Sequence, residues 1–144
     1  MFQKVLVPVD GSAASMKAVE AARQLWERGL TKEISLIHVV QATDVVPVNG
    51  PNIALDYPLL YQELNDLARQ TLKDARAVLG DQHPADLLLE AGPPAEIICN
   101  VARKHNYDLI IIGNRGLNRF QRALLGSISS KVVIQAHCPV LIVK

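Results

Sequence analysis

Much that marks a secreted, membrane-bound or metal-clustered protein is missing from this chain. Only two cysteines occur, Cys99 and Cys138, far apart and without CxxC spacing. That argues against a disulfide framework or a cysteine zinc site and makes a reducing cytoplasm the default. No apolar run is long enough to span a bilayer, so a membrane protein is not expected. The start, MFQKVLVPVDGS, has Lys4 and then a short apolar run broken by Pro8 and Asp10, which is not a secretory pattern. Aromatics are scarce: one Trp, three Tyr and two Phe. With a small basic excess and no aromatic-interleaved basic patch, nucleic acid is a poor candidate partner. Two phosphate signatures are also absent, GxxxxGK[ST] anywhere and GxGxxG after the first apolar segment.

What remains is a soluble, folded composition. The 144 residues suit a single domain spanning 1–144, with 49% apolar and 20% charged side chains. Charge is unevenly spread along it. From Leu109 to Lys144 there is no acidic residue, while Arg115, Arg119, Arg122, Lys131 and Lys144 give +5. The first 108 residues carry ten basic and fourteen acidic side chains, hence −4. A C-terminal quarter of one sign suggests an anion-attracting surface, although a solvated face is the plainer reading of charge alone.

Strand and helix patterns alternate throughout. Lys4–Val9 is a β-branched first strand, and Ser12–Arg28 repeats Ala18, Val19, Ala22, Leu25 and Trp26 at helical spacing before Gly29. Ile34–Val40 is a second strand, followed by an irregular segment, Gln41–Tyr57, rich in Pro, Asn and Gly. Pro58–Leu79 places Leu60, Leu64, Leu67, Ala68, Leu72, Ala75 and Leu79 on one helical face. Asp86–Glu90 is a third strand, and Gly92-Pro93-Pro94 opens a third helix with proline in its first turn. Asp108–Ile112 is a fourth strand, Gly126–Ala136 a fourth helix and Val140–Val143 a last strand. Such alternation predicts an α/β fold with a single open, mostly parallel five-stranded sheet, helices on both faces, and the Rossmann-like nucleotide-binding order 3-2-1-4-5.

In that order strands one and four are neighbours whose connections leave in opposite directions, and ligands bind in the crevice at their C-terminal ends. Two loops must border it. One is Asp10-Gly11-Ser12; the other is GNRGLNRFQRALLGSISS, residues 113–130. The second is longer than the usual strand–helix connection of about 2 to 6 residues, which points to function. Gly113 and Gly116 permit positive φ or close ligand approach. Gly126 and Ser127 open a helix whose first amides lack intrahelical partners and attract phosphate, with Ser127 and Ser129 adding hydroxyl donors.

The spacing Gly113-x2-Gly116-x9-Gly126-Ser127 resembles the ATP-binding signature of the universal stress protein family. VPVDGS at 7–12, LIHVV at 36–40, GPPAEII at 92–98, DLIIIGNRG at 108–116 and HCPVLIVK at 137–144 resemble that family in the same order. Asn114 departs from the Ser or Thr expected there. The resemblance implies that Pro8, Val9 and Asp10 lie beside adenosine and that Val39 contacts adenine. It further implies that Gly113, Asn114, Arg115, Gly116, Gly126, Ser127, Ile128 and Ser129 surround ribose and phosphates. ATP is the implied ligand, with any Mg²⁺ held mainly by phosphates and water and Asp10 as an outer partner. Asp10 also has a structural reading, as a cap on the first helix. Relatives pair through the last strand, so a homodimer through Val140–Lys144 is implied, consistent with an apolar edge strand.

Catalysis has little support. His38 reads as a buried, hydrogen-bonded core residue; His83, His105 and His137 sit near element ends, where loop or cap roles suffice. DGSAAS lacks the GxSxG of a nucleophile elbow, and Cys138 reads as a small apolar residue. Three functions follow for weighing: an ATP-binding regulatory stress protein acting on an unknown client, a slow ATPase or nucleotidyl transferase on the same fold, and a nucleotide-independent interaction module.

Overall fold

The computed structural model describes residues 1–41, 57–115 and 125–144. Nine elements run in alternation: β1 (Phe2–Pro8), α1 (Ala13–Glu27), β2 (Thr31–Val40), α2 (Tyr57–Leu79), β3 (Ala85–Ala91), α3 (Pro94–Lys104), β4 (Leu109–Gly113), α4 (Ser127–Gln135) and β5 (Val140–Val143). The strands form one all-parallel sheet of five in the order β3-β2-β1-β4-β5. The Rossmann-like α/β architecture and strand order expected from the alternation are therefore present. Most of the irregular Gln41–Tyr57 segment lies outside the described residues.

Alternation along each strand divides the core between the two faces of the sheet. Val5, Val7, Ile34, Leu36, Leu109 and Ile111 pack with Ala18, Val19 and Ala22 of α1 and Leu72, Ala75 and Leu79 of α2. Leu6, Ile37, Ile110 and Ile112 turn the other way, onto Ile98, Cys99 and Ala102 of α3 and Val132 of α4. Both faces of the central strands are dry, which is why β1 and β4 read as continuous apolar runs. Burying each such Leu, Ile or Val side chain is worth about 1.5–3 kcal/mol, so the two layers hold the sheet together.

Local anchors set the register of β1 against β4. The Asp108 carboxylate accepts the amides of Gln3 at 2.7 Å and Lys4 at 2.9 Å, while its own amide donates to the Lys4 carbonyl at 2.9 Å. These tie the start of β4 to the start of β1, so their C-terminal ends come out level at the opposite rim.

One expectation needs correction. Leu67 does not join the buried face of α2; it is 65% exposed. Ala68, Leu72, Ala75 and Leu79 form the buried stripe, and Leu67 stands about 100° away from it on the helix surface. His83 lies at an element end as expected, in the turn between α2 and β3, and is 2% exposed. Its ring lies 4.4 Å from that of Trp26, at the base of the α1–α2 layer.

Candidate functional site

A crevice of about 630 Å³ opens above the C-terminal ends of β1, β2 and β4, where the connections of β1 and β4 diverge. Its size falls within the range of about 300–1,000 Å³ typical of small-molecule sites. Pro8, Val9 and Asp10 form one wall, and Ile37 to Val39 a second. Gly113, Arg115 and the start of α4, Gly126 to Ser129, form the wall facing them.

At the first wall the chain closes on itself. Gly11 takes φ 85°, a left-handed turn that lets Asp10 Oδ1 accept the Ser12 amide at 2.9 Å. Ser12 is the N-cap of α1: its hydroxyl accepts the Ser15 amide at 3.1 Å. Ser15 in turn donates its hydroxyl to the Ser12 carbonyl at 2.9 Å and accepts the Asp10 amide at 3.4 Å. Asp10 thus supports the turn before α1 rather than capping the helix directly. Its Oδ2 stays uncommitted among the described residues.

The opposite wall is built differently. Gly126, the N-cap of α4, has no side chain to offer, and α4 has no acidic residue in its first turn. The Gly126 amide donates to the Asn114 carbonyl at 2.6 Å, and the first intrahelical bond is Ser130 N–H to Gly126 C=O at 3.0 Å. The amides of Ser127, Ile128 and Ser129 therefore lack intrahelical acceptors and carry the positive end of the helix dipole into the crevice. Ser129 Oγ donates to the Gly126 and Asn114 carbonyls at 3.0 and 3.2 Å, which commits its proton and steadies the helix start. Beside it, the buried Arg115 Nε has no partner among the described residues. Three amides without intrahelical acceptors, with Arg115 among the residues lining the crevice, suit a multiply charged anion.

The glycines act otherwise than their composition suggests. Gly113 is not in the left-handed region; a Cβ there would stand 2.7 Å from the Ala14 backbone carbon and 2.9 Å from the Ser15 amide. It lets the end of β4 touch the first turn of α1, so its role is strand–helix approach and not room for a ligand. Gly126 has φ −67° and is tight on the loop side, where a Cβ would meet the Asn114 oxygen at 3.3 Å.

Of the residues that the family resemblance singles out, Pro8, Val9, Asp10, Val39, Gly113, Arg115, Gly126, Ser127, Ile128 and Ser129 all line the crevice. Asn114 does not; it borders a shallower hollow of about 200 Å³ with Ala13, Ala14, Lys17, Arg115 and Lys144. Gly116, like Arg119 and Arg122, lies outside the described residues. His38 corrects the core expectation in part. It is hydrogen-bonded, Nδ1 to the Val9 carbonyl at 2.8 Å, but it is only half-buried and lines the crevice. Sequence reasoning also missed Pro93, Pro94 and Glu96 at the start of α3, and Lys131 and Gln135 on α4. For α3, the signal was the topology itself, since the β3–α3 turn must open on the same rim.

The universal stress protein family model matches residues 1–144. The chain belongs to the universal stress protein family. Universal stress protein YxiE of Bacillus subtilis is 34% identical over 151 residues, covering 100% of each chain. The structure of UspA from Lactobacillus plantarum is similar with a TM-score of 0.74 and 29% identity, over 99% of this chain and 97% of that one. Two more distant members show the same fold. One is an Archaeoglobus fulgidus protein in complex with dAMP, with TM-score 0.65, 21% identity and coverage of 99% and 98%. The other is a universal stress protein in complex with cAMP, with TM-score 0.60, 24% identity and coverage of 99% and 97%.

Proposed function

We propose that this member of the family is an ATP-binding regulatory module of the stress response, working as a cytoplasmic homodimer on a client protein. The observation that carries the reading is the uncapped start of α4. Three amides, those of Ser127, Ile128 and Ser129, stand without intrahelical acceptors at a crevice on the switch point of the sheet, with Arg115 among its lining residues. Phosphates belong on those donors. The aliphatic side chains of Val9, Val39 and Ile128 supply flat apolar surface for adenine, and Asp10 Oδ2 stands ready for a ribose hydroxyl. The dAMP of the Archaeoglobus fulgidus relative and the cAMP of the other complexed relative are consistent with that assignment.

No cluster of three or more His, Cys, Asp or Glu side chains suited to a metal occurs among the described residues. Mg²⁺ would therefore arrive with the phosphates, leaving Asp10 as a carboxylate within outer reach. Dimer formation is supported by exposed apolar surface at the β5 edge: Leu141 is 42% exposed, and Val133 and Ile134 on the adjoining α4 are 45% and 82% exposed. Patches of this kind mark association surfaces.

The test is to denature the purified protein and identify any released small molecule by mass spectrometry, then titrate the emptied protein with ATP, ADP, AMP and cAMP by calorimetry. Near-stoichiometric adenine nucleotide, or micromolar ATP affinity, is the expected result. No nucleotide released and no heat on titration would end the reading. Sustained ATP turnover that is lost on Asp10→Ala with binding retained would replace it with the ATPase alternative.

A further inference from the structure

We infer that His38 is a positioning residue for the base: its imidazole occupies the Val9 carbonyl and so keeps the Val39 peptide N–H open to the crevice. The inference rests on the nucleotide reading above for its ligand, but its structural half stands by itself. β1 and β2 pair in register up to Pro8 and Ile37, and the Val9 amide donates to the Ile37 carbonyl at 2.8 Å. In a parallel ladder the residues of a central strand bond alternately to one neighbour and the other. Ile37 bonds toward β1, whereas Val40, whose carbonyl accepts the Gly92 amide at 2.9 Å, bonds toward the β3 side. Val39 therefore faces β1, and the next rung would run from its N–H to the Val9 carbonyl.

That rung is absent among the described residues, and the Val9 carbonyl is held at 2.8 Å by His38 Nδ1. Because a carbonyl only accepts, Nδ1 must carry a proton whether the ring is neutral or charged. The sheet thus stops one rung early between β1 and β2. Val39 lines the crevice there, and its unpaired N–H faces the apolar wall assigned to the base. A ring nitrogen of a purine, an acceptor in the base plane, is the group that satisfies it.

Two measurements test this. The first is amide hydrogen exchange in the nucleotide-free protein. Val39 should exchange at least about tenfold faster than Ile37 in the wild type and slow by about tenfold in His38→Leu, as the rung closes onto Val9. Equal protection of Val39 and Ile37 in the wild type would overturn the inference. The second compares AMP with ribose 5-phosphate by calorimetry. His38→Leu should weaken AMP about fivefold to tenfold, the scale of one hydrogen bond, and leave ribose 5-phosphate unchanged. His38→Asn, which presents an N–H where Nδ1 stood, should restore AMP affinity to within about twofold. Equal weakening of both ligands, or no weakening of AMP, would reduce His38 to a structural residue. A wild type that binds neither ligand defeats the nucleotide reading, while the exchange measurement still decides whether His38 opens the rung.

Discussion

Two of the helices that begin at the crevice, α1 and α4, begin in opposite ways. At α1, Asp10 accepts the Ser12 amide and the Ser12 hydroxyl accepts the Ser15 amide, so side chains hold the turn and take up one of the first three helical amides. At α4, the N-cap is Gly126, and among the described residues the only side-chain bonds run from Ser129 and Ser130 to carbonyls and the leading amides have no acceptor. Both starts sit at C-terminal strand ends of the same sheet. What separates them is capping chemistry: a hydroxyl at the cap consumes one of the donors that an anion would use, and a glycine consumes none. On the nucleotide reading, the capped wall fixes geometry and the uncapped wall receives charge.

The comparison can be broken most severely at Gly113, which joins the two walls. Gly113→Ala forces a Cβ to within 2.7 Å of the α1 backbone, which cannot move away without unpacking the core face beneath it. A loss of about 3 kcal/mol is expected, at the upper end for overpacking, together with loss of nucleotide binding. Urea denaturation followed by circular dichroism measures it; a midpoint shift equivalent to under about 0.5 kcal/mol would show that α1 yields easily.

Gly126→Val acts on the uncapped wall alone. The branched side chain meets the Asn114 carbonyl and stands at the mouth of the open amides. ATP affinity should fall by at least about 100-fold, equivalent to about 2.7 kcal/mol, with the circular dichroism spectrum of the fold retained. Unchanged affinity by calorimetry would remove the phosphates from this helix start.

Ser12→Ala is the converse. It removes the cap of α1 and should lower stability by about 1 kcal/mol while changing ATP affinity less than about threefold. Were affinity to drop as far as for Gly126→Val, the division between a structural wall and a receiving wall would collapse.

The smallest effect sharpens the comparison through Cys99, whose thiol donates to the Val132 carbonyl of α4 at 3.9 Å. Burial pushes the Cys99 thiol above its ordinary 9.0, against a lowering influence from Arg103, and burial likewise raises Cys138. Alkylation at pH 8 should therefore be slower than for a free thiol, and slower again by a few-fold when nucleotide steadies α4. The linkage has a definite sign. With folded values raised, the unfolded chain gives up its thiol protons first. The contribution to stability is full below about pH 9 and fades as pH climbs through the folded values. Alkylation unaffected by ATP would show that α4 is equally rigid without ligand.

How much could be read in advance follows the same division. The alternation of apolar runs with helical spacing predicted every element, because buried strands and amphipathic helices each impose their own period. Ends moved by one to three residues, as with β2, which starts at Thr31 rather than Ile34. Leu67 was misplaced because the pattern cannot tell which side of a broad apolar stripe meets the sheet. His38 was misread for a related reason: a histidine in an apolar strand looks like core until the strand is known to end at a crevice.

The sequence by itself determined the layered sheet and the identity of the crevice-bordering loops, since periodicity and glycine spacing are local properties of the chain. Only the tertiary structure decided what those residues do there. Gly113 proved to be a packing contact because β4 crosses α1 at van der Waals distance, and the Val9 carbonyl was captured by His38 from the neighbouring strand. Neither contact follows from spacing, because each joins segments brought together only when the sheet forms.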